Sequence, residues 1–171
     1  MSRIDFVTGA PEKYAHLVDA LAVLPGRYHA ALDGASNAAM RDESPEGQST
    51  GTWSPQRILA HAVFVAEAND VFIHQMATMS EPARKPFPAG YEAIDLEALS
   101  AGDLLRRIDD AVTHTVALLS HTPDAAWGRP GYARGLRRSL RQQVVAHIAH
   151  FDEHLAEMTR LLGVGTAARA R

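Results

Sequence analysis

The chain of 171 residues contains no cysteine. Disulfides, thiolate metal ligands and a cysteine nucleophile are excluded together, so any transition metal must rest on imidazole and carboxylate. Aromatic residues supply only 6%, and alanine and leucine carry much of the apolar content, which favours helices over sheets. Lysine occurs only at Lys13 and Lys85, leaving arginine to carry the positive charge. The formal net charge is −3, without the basic stripe that a nucleic-acid surface needs. No long hydrophobic run is present: the longest, around Ile58 to Ala68, is interrupted by His61 and Glu67 and is too short to span a bilayer. Residues Met1 to Asp5 lack the basic-then-apolar pattern of a secretory leader. These absences predict a cytoplasmic protein with no membrane or nucleic-acid partner. The length predicts a single domain over residues 1–171, with its core at about 11–162.

What is present is helical periodicity in four segments. The first starts near Pro11 and aligns Tyr14, Leu17, Val18, Leu21 and Leu24 before Pro25 and Gly26 interrupt it. A weaker helical piece follows from Tyr28 to Met40, then a loop from Arg41 to Thr52. The second helix opens at Ser54-Pro55, an N-cap with proline at the first helical position. Ile58, His61, Ala62, Val65, Ala68 and Phe72 recur at helical spacing to about Met79. The connection from Ser80 to Glu97 is longer than a bundle turn needs, so it crosses over or drapes the bundle. The third helix is capped by Ser100 and buries Leu104, Ile108, Ala111, Val112, Thr115 and Leu119. A Pro-, Gly- and Arg-rich stretch from Thr122 to Arg138 precedes the fourth. That helix begins at Ser139 with Gln142 completing a capping box, and stops at Gly163, leaving a frayed tail over residues 164–171. No segment shows strand alternation, and the reading is an all-α four-helix bundle.

Nine histidines are many for this length, and three fall within His147-Ile-Ala-His150-Phe-Asp-Glu-His154. At about 100° per residue, His150 and His154 lie roughly 40° apart on one helix face, one turn apart along the axis. Two imidazoles so placed can reach one ion at about 2.0–2.1 Å. A third ligand must come from another helix, and His61 is the best candidate because its neighbours put that side of the second helix toward the core. A histidine among alanines is equally the setting of a hydrogen-bonded core residue, and His-x-x-x-His is also a surface pattern. His147 lies near the same face and is assigned to the pocket wall or the layer behind the ligands. A metalloprotease pattern fails, because Phe151 stands where the general-base glutamate would follow His150. The paired Glu-x-x-His of di-iron bundles is also missing.

The runs Trp53-Ser54-Pro55-Gln56-Arg57-Ile58-Leu59-Ala60-His61, with Asn69 beyond, and Ala146-His147-Ile148-Ala149-His150-Phe151-Asp152-Glu153-His154 resemble two motifs of the DinB/YfiT-like superfamily of metal-binding four-helix bundles. Trp127, Arg129-Pro130-Gly131-Tyr132 and Gly135 resemble the loop before its last helix. The resemblance covers about Pro11 to Leu162. It implies up-down-down-up connectivity with a long crossover, a homodimer, and one divalent ion held by His61, His150 and His154. This chain departs from the YfiT-type pattern where Phe64 and Val65 replace a carboxylate, and where Phe151 replaces a second histidine.

Three protein ligands leave a metal's shell open, as in catalytic sites. The ion then activates water for hydrolysis, or binds and deprotonates a thiol. The resemblance implies a transferase acting on a small-molecule substrate with a low-molecular-weight thiol; the alternatives are a hydrolase and a non-catalytic, metal-stabilised binding or stress protein. Without cysteine, the thiol must arrive as co-substrate. Zinc and nickel head the expected metals, with iron and manganese also compatible with three imidazoles. The segment with Arg129, Arg134, Arg137, Arg138 and Arg141 offers anion binding, notably at Arg134, Arg137 and Arg138, or a solvated helix entry. Trp53 and Trp127 stand ahead of the ligand-bearing helices, as pocket lining or core anchors. Glu157, one turn beyond His154, is a candidate fourth ligand or neighbour of the site.

Overall fold

A computed structural model describes residues 12–41, 53–84 and 94–169, with side chains of the last helix described to residue 163. Pro11, most of the loop at 41–52 and the middle of the connection at 80–97 lie outside the described residues.

Helix α1 (Glu12–Ala22) buries Leu17, Val18 and Leu21 and ends at Val23. Helix α2 (Leu24–Leu32) carries Pro25 in its first turn, where a missing N–H loses no helical bond. The expected break at Pro25-Gly26 therefore falls earlier, and the proline starts a helix instead of ending one. The weaker piece expected over Tyr28 to Met40 is likewise divided, α2 ending before Asp33-Gly34 and α3 (Asn37–Met40) forming one turn capped by Ser36.

Helix α4 (Pro55–Thr78) opens as its sequence dictates, with Ser54 Oγ accepting the Arg57 N–H at 3.2 Å. A 3-10 turn (Leu96–Ala98) leads to α5 (Ala101–Ser120), whose cap Ser100 accepts the Asp103 N–H at 3.1 Å. After α6 (Asp124–Trp127) come strands β1 (Pro130–Ala133) and β2 (Leu136–Ser139), then α7 (Leu140–Arg169). Ser139 and Gln142 close the expected capping box with bonds of 2.9 and 3.2 Å.

Side-chain pairs fix the helix directions. Gln56 bonds the Leu99 carbonyl, Glu67 pairs with Arg107 and Asp70 meets Thr115, so α4 and α5 run parallel. Asn69 meets Gln143 and His147 while His61 meets His150 and His154, so α4 and α7 are antiparallel. Lys13 reaches Asp124 just beyond α5, and His29 reaches Asp109 within it, so α1 and α2 oppose α5. The result is an up-down-down-up four-helix bundle, and the parallel α4–α5 pair is why its connection must be long. Its core is built from residues such as Leu21, Tyr28, Ile58, Phe72, Leu104, Ile108 and Phe151.

Two expectations are corrected. The β1–β2 hairpin occupies a stretch expected to hold no strand; its strands are four residues long, too short for alternation to show. Arg134 and Gly135, at φ of 51° and 75°, form the two-residue turn with both central residues left-handed that hairpin twist favours. Helix α7 also runs through Gly163 to Arg169, past the expected stop at Gly163. A glycine ends a helix by turning left-handed; Gly163 does not, and the alanines at 167 and 168 favour continuation.

Candidate metal centre

His61 sits two turns into α4, and His150 and His154 occupy successive turns of α7 facing it. Their ring centroids are 5.7 Å (His61–His150), 4.9 Å (His61–His154) and 4.3 Å (His150–His154) apart. One potential ligand atom from each lies within 4.8 Å of the others. The Nε2 atoms of His150 and His154 face each other at 3.0 Å. Two imidazole nitrogens approach so closely only across a shared proton or a cation. Ligands of one ion held at about 2.0–2.1 Å stand about 3 Å apart, so the spacing fits a divalent metal. Burial lowers the proton affinity of His61 and brings the His154 pKa down to about 4, with the neighbouring His150 adding to both shifts. Neutral imidazole is the form that ligates.

The other ring nitrogens turn toward carboxylates. His150 Nδ1 lies 3.7 Å from Glu153 and His154 Nδ1 lies 4.0 Å from Glu157, each three residues ahead on α7. His154 Nδ1 is buried and makes no hydrogen bond among the described residues. A small approach by Glu157 would complete the carboxylate–imidazole pairing that fixes a metal-binding tautomer. Glu157 therefore stands behind His154 and is not in the cluster of converging ligand atoms. Glu153 went unnoticed in the sequence, although the same three-residue spacing marks both glutamates.

Behind this cluster, buried Asn69 donates to the Val65 carbonyl at 3.0 Å and to His147 Nδ1 at 2.9 Å, and accepts from Gln143 at 2.7 Å. With Nδ1 accepting, the neutral His147 ring carries its proton on Nε2. Full burial, reinforced by His150 and Arg84, lowers the His147 pKa to about 3. His147 thus lies in the layer behind the three histidines, held by the Asn69 that the second-helix motif supplies.

His61 borders two cavities. One, of 490 Å³, is lined by Trp53, Phe64, Ile94 and Leu96 together with Asp95 and the Arg57–Glu97 pair. The other, of 380 Å³, is lined by His147, His150, Glu153, Arg84, Arg134 and Arg138. Trp53 lies edge-on to His61 at 5.2 Å. Trp127 borders neither cavity; it is fully buried and stacks on Tyr14 at 4.5 Å, a core anchor. The arginines separate too, because Arg137 reaches Glu81 at 3.3 Å while Arg134 and Arg138 face the cavity wall. Arg84 was missed by sequence reading because the hairpin brings it in from the long connection. Its N–H donates to the Tyr132 carbonyl at 2.7 Å, and the Tyr132 N–H donates to the Pro82 carbonyl at 2.9 Å.

A second histidine group, Asp70, His74 and His114, also brings its polar atoms within 4.8 Å. There the Asp70 oxygens already meet His114 Nδ1 at 2.9 Å, His74 Nδ1 at 3.2 Å and the Thr115 hydroxyl at 2.9 Å. That arrangement is a satisfied hydrogen-bonded tie between α4 and α5.

Residues 20–158 match the model of the DinB superfamily. Among solved structures, the chain is similar to YfiT from Bacillus subtilis, described as a probable metal-dependent hydrolase with an unusual four-helix bundle topology. The likeness has a TM-score of 0.76 and 17% identity, and covers 94% of this chain and 90% of that one. No match was found among curated proteins. With the family match spanning most of its length, the chain belongs to the DinB superfamily.

Proposed function

We propose that the protein is a metal-dependent transferase acting on a small-molecule substrate with a low-molecular-weight thiol as co-substrate. The observation that carries this reading is the position of His61 on the boundary of two cavities with different linings, one joining the rings of Trp53 and Phe64 to Arg57, Asp95 and Glu97, and one carrying Arg84, Arg134 and Arg138. Two reactants meeting at one centre need two such compartments; a hydrolase needs room for one substrate and water. A divalent ion held by His61, His150 and His154 supplies Lewis acidity and lowers the pKa of a thiol or water entering its open side. Zinc or nickel suits the three imidazoles best, with iron and manganese compatible. Glu153 and Glu157, at 3.7 and 4.0 Å, need only a small approach to orient the imidazoles of His150 and His154, and neutral His147 offers an N–H donor beside them. Trp53 and Phe64 give the compartment on the α4 side of His61 an aromatic wall against which part of a substrate can pack.

Hydrolysis is the second reading. Glu153 favours it, as a carboxylate on the cavity wall able to take a proton from water, and so does the description of YfiT.

Cobalt substitution separates these outcomes. The loaded protein is expected to bind about one ion, with visible bands that shift when bacillithiol or mycothiol is added. Unchanged bands combined with ester hydrolysis would remove the transferase reading. His150→Ala is expected to lose the ion while His114→Ala keeps it, and full retention by His150→Ala overturns the assignment of the centre.

A further inference from the structure

We propose that Arg84, Arg134 and Arg138 form an oxyanion subsite beside the three histidines, holding a carboxylate or phosphate group of the small-molecule substrate. The three guanidiniums line one 380 Å³ cavity in which Glu153 is the only acid among the described residues. None of the three has an ion pair or side-chain hydrogen bond among the described residues, whereas Arg27, Arg57, Arg107 and Arg137 each meet a carboxylate. Arg84 is half-buried, so its guanidinium has lost part of its water without gaining a partner among the described residues, a cost that a bound anion would offset. Burial and the nearby Arg134 charge both lower the proton affinity of Arg84.

Two further observations point to a ligand. Arg134 sits at φ of 51°, in the first turn position of the hairpin, where asparagine or glycine is the unstrained choice. The fold tolerates this cost and thereby places a guanidinium at the cavity edge. Gln143, only 4% exposed, lines the same cavity and leaves Oε1 buried without a partner among the described residues. Its Nε2 is committed to Asn69, so Oε1 is free to accept from a hydroxyl or amine on the bound molecule. The subsite therefore suits a ligand carrying an oxyanion with a donor group close to it. Planar forks on three arginines provide the directional, charge-assisted hydrogen bonds that an oxyanion requires.

The subsite stands on the arginines with or without a metal; assigning its occupant to the reaction rests on the function proposed above. Calorimetric titration with succinate and with inorganic phosphate tests it, using wild type, Arg84→Ala, Arg134→Asn and His150→Ala. Wild type is expected to bind at least one anion, and the tighter one identifies the source of the oxyanion. Arg84→Ala and Arg134→Asn are each expected to weaken binding by about tenfold. Arg134→Asn should at the same time raise Tm by about 1–3 °C, because asparagine fits the turn. A merely structural arginine would not combine gained stability with lost binding. His150→Ala should still bind the anion in the absence of metal. No binding of either anion by wild type, or undiminished binding by both arginine variants, overturns the subsite. Binding lost in His150→Ala but kept in the arginine variants would also overturn it, by placing the anion on the metal and leaving the metal assignment intact.

Discussion

His147 shows how one side chain couples the candidate centre to stability. It is 2% exposed, and burial depresses its pKa to about 3, so the folded protein keeps it neutral where the unfolded chain protonates it near 6.5. A depressed folded pKa means the unfolded state binds the extra proton. The His147 contribution is therefore intact above about pH 6.5 and is lost as pH falls toward 3, at up to about 1.4 kcal/mol per pH unit. Urea unfolding of metal-free wild type between pH 7 and 5 should show this slope added to those of His61 and His154, which are depressed in the same direction. His147→Gln, which retains a polar partner for Asn69, should flatten it while lowering stability at pH 7; an unchanged slope would assign the pH response to other groups. At this scale the sequence was informative where geometry is local. His150 and His154 follow from helical spacing, and so would Glu153 if the spacing that singled out Glu157 were applied to both. Arg84 and Gln143 were hidden because their place depends on strand pairing and on a buried amide chain from another helix.

Among the elements, the hairpin decides what surrounds the histidines, and it rests on a close approach. A Cβ on Gly131 would lie 2.9 Å from Met76 Cγ, and Met76 is fully buried on α4 with little room to move. Glycine is thus what lets β1 lie flat on the bundle, carrying Arg134 and Arg138 on one side and pairing with residues 82–84 on the other. Gly131→Ala is expected to cost about 1–3 kcal/mol by overpacking. Adding Met76→Ala should recover part of that loss, and a thermal-melt double-mutant cycle measures the coupling. Strictly additive effects would deny the contact its role. The helices were legible because caps, periodicity and proline positions agree at Ser54, Ser100 and Ser139. The hairpin was not, because four-residue strands around an Arg-Gly turn lack both alternation and the usual Asn-Gly signal. The parallel α4–α5 pairing was implied by family resemblance, and its local cause lies in contacts such as Glu67–Arg107 and Asp70–Thr115.

For the molecule as a whole, the candidate centre joins two antiparallel helices that already share a core. Ile58, Val63, Val144 and Phe151 are buried on α4 and α7 independently of the three histidines. A metal there should add stability without being required for folding, unlike small domains whose only core is the ion. Stripping it with a chelator should leave the helical circular dichroism at 25 °C unchanged and lower Tm. With free metal about a thousandfold above Kd, linkage predicts about 4 kcal/mol, or about 8–16 °C for a chain of this size. An exchangeable, open site should also show Tm rising with each tenfold increase in free metal by about 3–6 °C, since each decade adds about 1.4 kcal/mol. Cooperative loss of helix on chelation would instead mark an ion that pins the bundle, and would favour the non-catalytic metal-stabilised protein over an enzyme. The same titration on His61→Ala tests the bridge itself. Without the α4 ligand, the two remaining histidines lie on α7 alone, so the metal-dependent rise in Tm should shrink sharply. A full rise in that variant would mean that His61 does not share the ion.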